Sequence, residues 1–148
     1  MNKTSKLIND EVSLHGNNTK RASALFPFWV HNESNTIIVF QNYWKWKREA
    51  DVKLNIRICS ENGEILFINK NQNIINYHNE ISVRKILEDA KTKISIGTIE
   101  IEIISFTKNI VFPFPALMAF YTNGKGEYSC VHSAGRTLLK EESLEEEN

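Results

Sequence analysis

An all-β fold, an antiparallel β-sandwich of about seven to nine strands, is what this sequence predicts. Residues 51–59 read DVKLNIRIC and residues 98–105 read TIEIEIIS, both alternating between apolar and polar side chains. Such alternation sets one face on a core and the other in water, the habit of antiparallel sheets. Turn residues separate these runs at short intervals. Asn32-Glu33-Ser34-Asn35, Ser60-Glu61-Asn62-Gly63 and Thr122-Asn123-Gly124-Lys125-Gly126 are examples.

Taken in order, residues 1–22 are polar and aperiodic and predict a loose arm ahead of one domain at 23–138. Residues 24–31, ALFPFWVH, are the first strand candidate. Pro27 cannot donate to a ladder, which predicts an edge strand or a strand start. Residues 36–42, TIIVFQN, are dense in β-branched and aromatic residues and predict a buried strand, paired with the first as a hairpin. YWKWKREA at 43–50 alternates aromatic with basic residues, so on a strand Trp44 and Trp46 share a face. Residues 51–59 and 64–69 predict a hairpin about Asn62-Gly63, followed by an asparagine-rich loop at 70–76. Residues 79–86 alternate again. VRKILEDA at 83–90 has helical spacing at Val83, Ile86, Leu87 and Ala90, so strand and helix are both open there.

In residues 98–105, Ile99, Ile101 and Ile103 point inward and Glu100 and Glu102 outward. Pro113 and Pro115 bracket Phe114 and fix an extended kink. The apolar run 116–121 predicts a central strand covered on both faces. Residues 127–132, EYSCVH, predict a last firm strand with Tyr128, Cys130 and His132 on one face. The end of the chain, residues 139–148, is acidic and predicts a disordered tail.

At 148 residues the chain has the size of one domain, and it needs no staple to bury a core. Eighteen Lys and Arg balance eighteen Asp and Glu, so bulk charge exerts no pull toward nucleic acid, anionic lipid or acidic substrates. Cys59 and Cys130 lie far apart in strand-like runs; reduced thiols are the expectation and a disulfide the alternative. The opening residues lack a secretory pattern, and no run approaches the ~18 apolar residues of a membrane span. A cytoplasmic protein without a membrane span is therefore expected.

The sequence holds no G-x-G-x-x-G, P-loop, G-x-S-x-G or H-E-x-x-H. His15, His31, His78 and His132 match no local metal spacing. No catalytic group, metal or cofactor is expected. Among binding candidates, Tyr128 and His132 share a strand face roughly 13 Å apart. Arg136 follows past a flexible Ala-Gly step and can anchor a hydroxyl-rich or anionic ligand. The bland alternative is a satisfied rim histidine, with Arg136 paired to Glu100 or Glu102. Trp44 and Trp46 can form a flat platform for a sugar ring or a base, or cover the sandwich rim. Two F-P-F segments place Phe26, Phe28, Phe112 and Phe114 in one set, either an exposed patch for a partner or a cap on the core. His78-Asn79-Glu80 can cap a strand, pair as charges or ligate a metal, with a capping turn preferred.

Three pieces resemble the sensory rhodopsin transducer family: NTIIVFQN at 35–42, DVKLNIRICSENGEI at 51–65 and SCVHSAGR at 129–136. The resemblance spans residues 35–136 in outline. It implies a small β-sandwich that self-associates, with His132 and Arg136 as a site. YWKWKREA and the F-P-F segments have no counterpart there, and the photoreceptor partner of that family is not carried over. The sandwich it implies is jelly-roll-like, or like a carbohydrate-binding module, which gives a sugar as ligand class. The first functional expectation is thus a non-enzymatic module binding a sugar or sugar-like ligand through Trp44, Trp46, Tyr128, His132 and Arg136. The second is an oligomeric interaction or signalling module using the F-P-F surface. A weaker third is a metal-dependent cupin-like enzyme using His31, His78 and His132.

Overall fold

Alternation decides where the core lies, and it does so strand by strand. In the computed structural model, which describes residues 20–105, 117–133 and 136–137, nine strands and two short helices follow one another. They are β1 (Lys20–Trp29), β2 (Asn35–Gln41), α1 (Tyr43–Arg48), β3 (Val52–Ser60), β4 (Ile65–Asn73) and β5 (His78–Ser82). Then come α2 (Val83–Asp89), β6 (Ile96–Ser105), β7 (Met118–Thr122), β8 (Tyr128–His132) and β9 (Arg136–Thr137). One sheet has the order β4-β3-β6-β1-β9 and the other β5-β2-β7-β8, with antiparallel pairing throughout. The fold is thus mostly antiparallel β and sandwich-like, as expected.

The core is built from alternate residues. β1 contributes Ala22, Ala24, Phe26 and Phe28; β3 contributes Val52, Leu54, Ile56 and Ile58; β6 contributes Ile99, Ile101 and Ile103. Ile38 and Phe40 of β2 and Ala119 of β7 belong to the same buried cluster. No helix among the described residues is long and apolar enough to cross a membrane.

Four local expectations change. First, β1 and β2 are not a hairpin: β1 pairs with β6 and β9, while β2 pairs with β5 and β7. The buried Thr36 hydroxyl takes the place of a ladder between them. It accepts from the Trp29 N–H at 2.9 Å and donates to the Trp29 carbonyl at 3.1 Å. Second, YWKWKREA is not a strand but contains α1. The Asn42 side chain accepts from the Lys45 N–H, and Glu49 closes the helix in a left-handed conformation. Lys45, Lys47 and Arg48 in the last turn suit the helix dipole. Third, the 79–90 ambiguity resolves into both answers in succession. β5 ends at Ser82, whose side chain caps α2 by accepting from the Lys85 N–H. Fourth, β4 continues through Asn73 into the expected loop, with a bulge opposite Asn55. Asn71 takes a left-handed φ of 58° there and donates its N–H to the Asn55 side chain at 2.9 Å.

Glu102 also departs from expectation. It is 6% exposed and accepts from Asn55 Nδ2 at 2.9 Å, while Glu100 pairs with Arg57. β6 is the middle strand of five, flanked at Glu102 by Asn55 and Ser23, and it is buried at every residue from Ile101 to Ser105. Cys59 and Cys130 are unbonded and sit in different sheets, as the reduced-thiol expectation has it. Phe112 and Phe114, the 113–115 kink, the N-terminal arm before Lys20 and the acidic tail lie outside the described residues.

Candidate functional site

The site lies along β1 on the stretch beyond its described pairing with β9. Among the described residues β9 pairs with Ala22 and Ser23, and the rest of that edge of β1 has no strand neighbour. Pro27 sits on this open stretch. A strand residue turns its N and its carbonyl to the same side, and the Pro27 carbonyl accepts from the Tyr121 hydroxyl at 2.8 Å. Its missing N–H therefore faces the open edge and costs β1 no bond to β6. Tyr121, from β7, reaches across the seam between the two sheets.

Two turns close the end of this seam. In the first, His31 and Ser34 exchange backbone bonds, and one Arg84 guanidinium nitrogen donates to the carbonyls of Asn32 and Ser34, both at 2.6 Å. Asn35 is fixed beside it, donating to the Ser82 hydroxyl at 3.0 Å and accepting from the Arg84 N–H at 3.1 Å. In the second turn, Asn123 Oδ1 accepts from the Lys125 N–H at 2.9 Å and its Nδ2 donates to Glu127. Gly124, at φ +76°, lies against Glu33 so closely that a Cβ would overlap that side chain.

Between them opens a cleft of about 400 Å³. Its aromatic walls are Trp29, Tyr121 and Tyr128, and Asn35, Asn123 and Glu127 are among its polar lining. Trp29 is 55% exposed and Tyr128 68%. Among the described residues the lining contains no lysine, arginine or histidine. Such a cleft can stack flat apolar faces and hydrogen-bond hydroxyls or amides at its rim. Burial raises the Tyr121 pKa above its ordinary 10.0. The folded state therefore holds this proton more tightly than the unfolded chain. The associated stability is complete below pH ~10 and falls as pH rises through the raised value. Denaturation at pH 8 and pH 11 is expected to show a steeper alkaline loss in the wild type than in Tyr121→Phe. At pH 8 that variant should lose about 1 kcal/mol with the bond to Pro27.

The expected site residues scatter. Trp44 is 2% exposed and packs edge-on against Phe40 at 6.5 Å, so it cannot serve as a platform. Successive helix residues turn by about 100°, so Trp44 and Trp46 point nearly opposite ways. Trp46 is 67% exposed, edge-on to Tyr77 at 5.4 Å, and stands near the far end of β2 from the cleft. Tyr128 lines the cleft. His132 lies at the other end of β8, its Nδ1 2.8 Å from the Ser133 carbonyl oxygen. Arg136 begins β9 and pairs with Ser23, so its backbone is in the other sheet. Phe26 and Phe28 are core, not an exposed patch, because alternation turns them inward beside Ala24.

The three histidines of the metal reading do not converge. Glu80, Val39, Met118 and His132 form one row across the second sheet, which sets β5 and β8 about 14 Å apart. His78 bonds Glu80 at 3.0 Å, the charged-pair alternative for that cluster. No group of three potential metal ligands occurs among the described residues.

Trp29, Tyr121 and Glu127 were missed as site residues. The signal for Trp29 was present: alternation that buries Phe26 and Phe28 must expose the next tryptophan. Tyr121 carried no local signal, since its role depends on β1 lying across the seam. No family model, curated protein or solved structure matches this chain.

Proposed function

We propose that this chain is a non-enzymatic binding module for a neutral, hydroxyl-rich small molecule of sugar-like chemistry, held in the cleft of Trp29, Tyr121 and Tyr128. The carrying observation is the lining: three aromatic walls, amide and hydroxyl groups at the rim, and no cation among the described residues. A sugar offers an apolar face of C–H groups for aromatic stacking and hydroxyls for Asn35, Asn123 and Glu127. A cleft without lysine or arginine disfavours phosphates and other anions. Glycoside hydrolysis takes two carboxylates across the scissile bond, and the described residues of the lining supply one, Glu127. That favours binding over turnover.

The test is tryptophan emission during titration with a panel of mono- and oligosaccharides. A saturable change is expected in the wild type and in Trp46→Ala. Trp29→Ala should weaken binding about tenfold or more, the loss of one aromatic contact of ~1.4 kcal/mol. Because that variant also lacks the reporter, its binding is read by calorimetry. A flat response across the panel, by emission and by heat, removes the proposal.

A further inference from the structure

Exposed apolar side chains are not spread evenly over this molecule. Of the nine large ones exposed among the described residues, Tyr43, Trp46, Ile75 and Tyr77 fall in two short segments, α1 and the 74–77 loop. Buried Asn42 binds these segments into one piece. Its N–H donates to the Tyr77 carbonyl at 2.7 Å, its Nδ2 to the Ile74 carbonyl at 2.9 Å, and its Oδ1 accepts from the Lys45 N–H at 3.3 Å. Trp46 stands edge-on to Tyr77, whose hydroxyl donates to Gln41 at 3.0 Å. Ile75, 86% exposed, projects from the loop. An apolar cluster this open to water marks a contact face.

The charge of this face has one sign. α1 carries Lys45, Lys47 and Arg48, and neither segment contains a carboxylate. On the helix, Lys45 and Lys47 flank Trp46 at about 100° on either side, with Tyr43 between Trp46 and Lys47. The Lys47 ammonium lies over the Tyr43 ring, 5.9 Å from its centre. Of the carboxylates closest in sequence, Asp51 accepts from Lys45 at 2.7 Å and Glu80 bonds His78. Glu49 then stands against both Lys47 and Arg48, which leaves an excess of cations.

We propose that this end of the sandwich docks on an anionic phospholipid bilayer. Trp46 and Tyr77 sit at headgroup level, Ile75 reaches the acyl boundary, and Lys45, Lys47 and Arg48 face the acidic headgroups. Each part suits that one surface. Indole and phenol rings favour the membrane–water interface. Lysine and arginine gain from the negative potential of an anionic leaflet. A protein partner would have to supply a matching pocket for every projecting side chain, whereas a fluid interface closes around them. The zero net charge of the chain does not oppose docking, because charges interact within about a Debye length, roughly 8–10 Å. Placement suits it too. The cleft opens at Asn35, six residues or roughly 20 Å along β2 from Gln41, so a chain resting on its α1 end keeps the cleft open to water. Docking stands whether or not that cleft binds a sugar.

The experiment is co-sedimentation of the full chain with sucrose-loaded vesicles in about 0.1 M salt, one set of phosphatidylcholine alone and one with about 30% phosphatidylserine. Partition onto the anionic set is expected to be at least about tenfold higher, and to fall back at about 0.5 M salt. Binding should shift tryptophan emission to the blue, a shift that Trp46→Ala loses. Trp46→Ala and Ile75→Ser should each weaken binding about tenfold, and Lys47→Glu should bring the anionic set down toward the neutral one. All three side chains are exposed, so the circular dichroism of these variants should match the wild type. Leu25→Ser, which removes an exposed apolar side chain on the first sheet, should bind as the wild type does. A chain that stays in the supernatant with both vesicle sets overturns the proposal and leaves the face to a protein partner. Equal partition onto both sets overturns it as well, as does a Leu25→Ser loss as large as that of Trp46→Ala.

Discussion

Trp44→Ala is expected to lower stability by about 3–5 kcal/mol, the cost of emptying a large buried aromatic site. Trp44 is buried within the core cluster and packs edge-on against Phe40. It is also the side chain that ties α1 to the sandwich. Its neighbour two positions on provides the control. Trp46 is mostly exposed, and Trp46→Ala should move stability by no more than ~0.5 kcal/mol. Urea unfolding followed by far-ultraviolet circular dichroism separates the two. Equal losses would mean that α1 does not sit as described, because only a helix sends these tryptophans to opposite fates.

Gly97→Ala is expected to cost about 3 kcal/mol, the upper end for overpacking. A Cβ there would overlap the carbonyl oxygen of Cys59 and stand 2.7 Å from the Phe28 ring. The first obstacle is backbone of the neighbouring β3, which cannot swing aside as a long side chain does. The second is a buried core ring. Combining Gly97→Ala with Phe28→Leu should therefore recover less than half of the loss, since the carbonyl clash remains. Urea midpoints of the two single variants and the double variant check this. Full recovery would show that the ring, not the carbonyl, sets the limit.

Where a residue's fate depends on its own strand, the sequence was legible. Val52, Leu54, Ile56 and Ile58 face the core because period two leaves no other choice. Gly63, at φ +81°, closes the β3–β4 turn that Asn-Gly announces. Legibility failed where the outcome belongs to a partner distant in sequence. Glu102 alternates like an outward residue, yet it is buried on the middle strand, bonded to Asn55 of the neighbouring β3. β1 and β2 are joined by a short turn, yet they pair in different sheets, and the Thr36 hydroxyl takes up the Trp29 backbone groups between them. The cleft failed for the same reason. It needs Trp29 from the first sheet, Tyr121 and Tyr128 from the second, and a turn braced by Arg84 from α2. No window of sequence contains those neighbours together. The YWKWKREA stretch misled differently: six residues fit both periods, and the Asn42 cap decided between them.

The pairing of β1 with β6 has a consequence for biosynthesis. Trp29 meets Ile96 and Lys20 meets Ser105, so β1 leaves the ribosome well before the strand it pairs with. At ribosomal speeds of about 5–20 residues per second, that wait is on the order of ten seconds. Throughout it, Phe26 and Phe28 have no β6 to lie beside. Hairpins such as β3–β4 can close locally in the meantime, but the sheet they belong to stays split in two until β6 slots between β3 and β1. The nascent chain thus carries the apolar face of β1 without its β6 partner over the whole stretch from 30 to 95. Uncovered apolar surface of this kind is what aggregation acts on before a sheet closes.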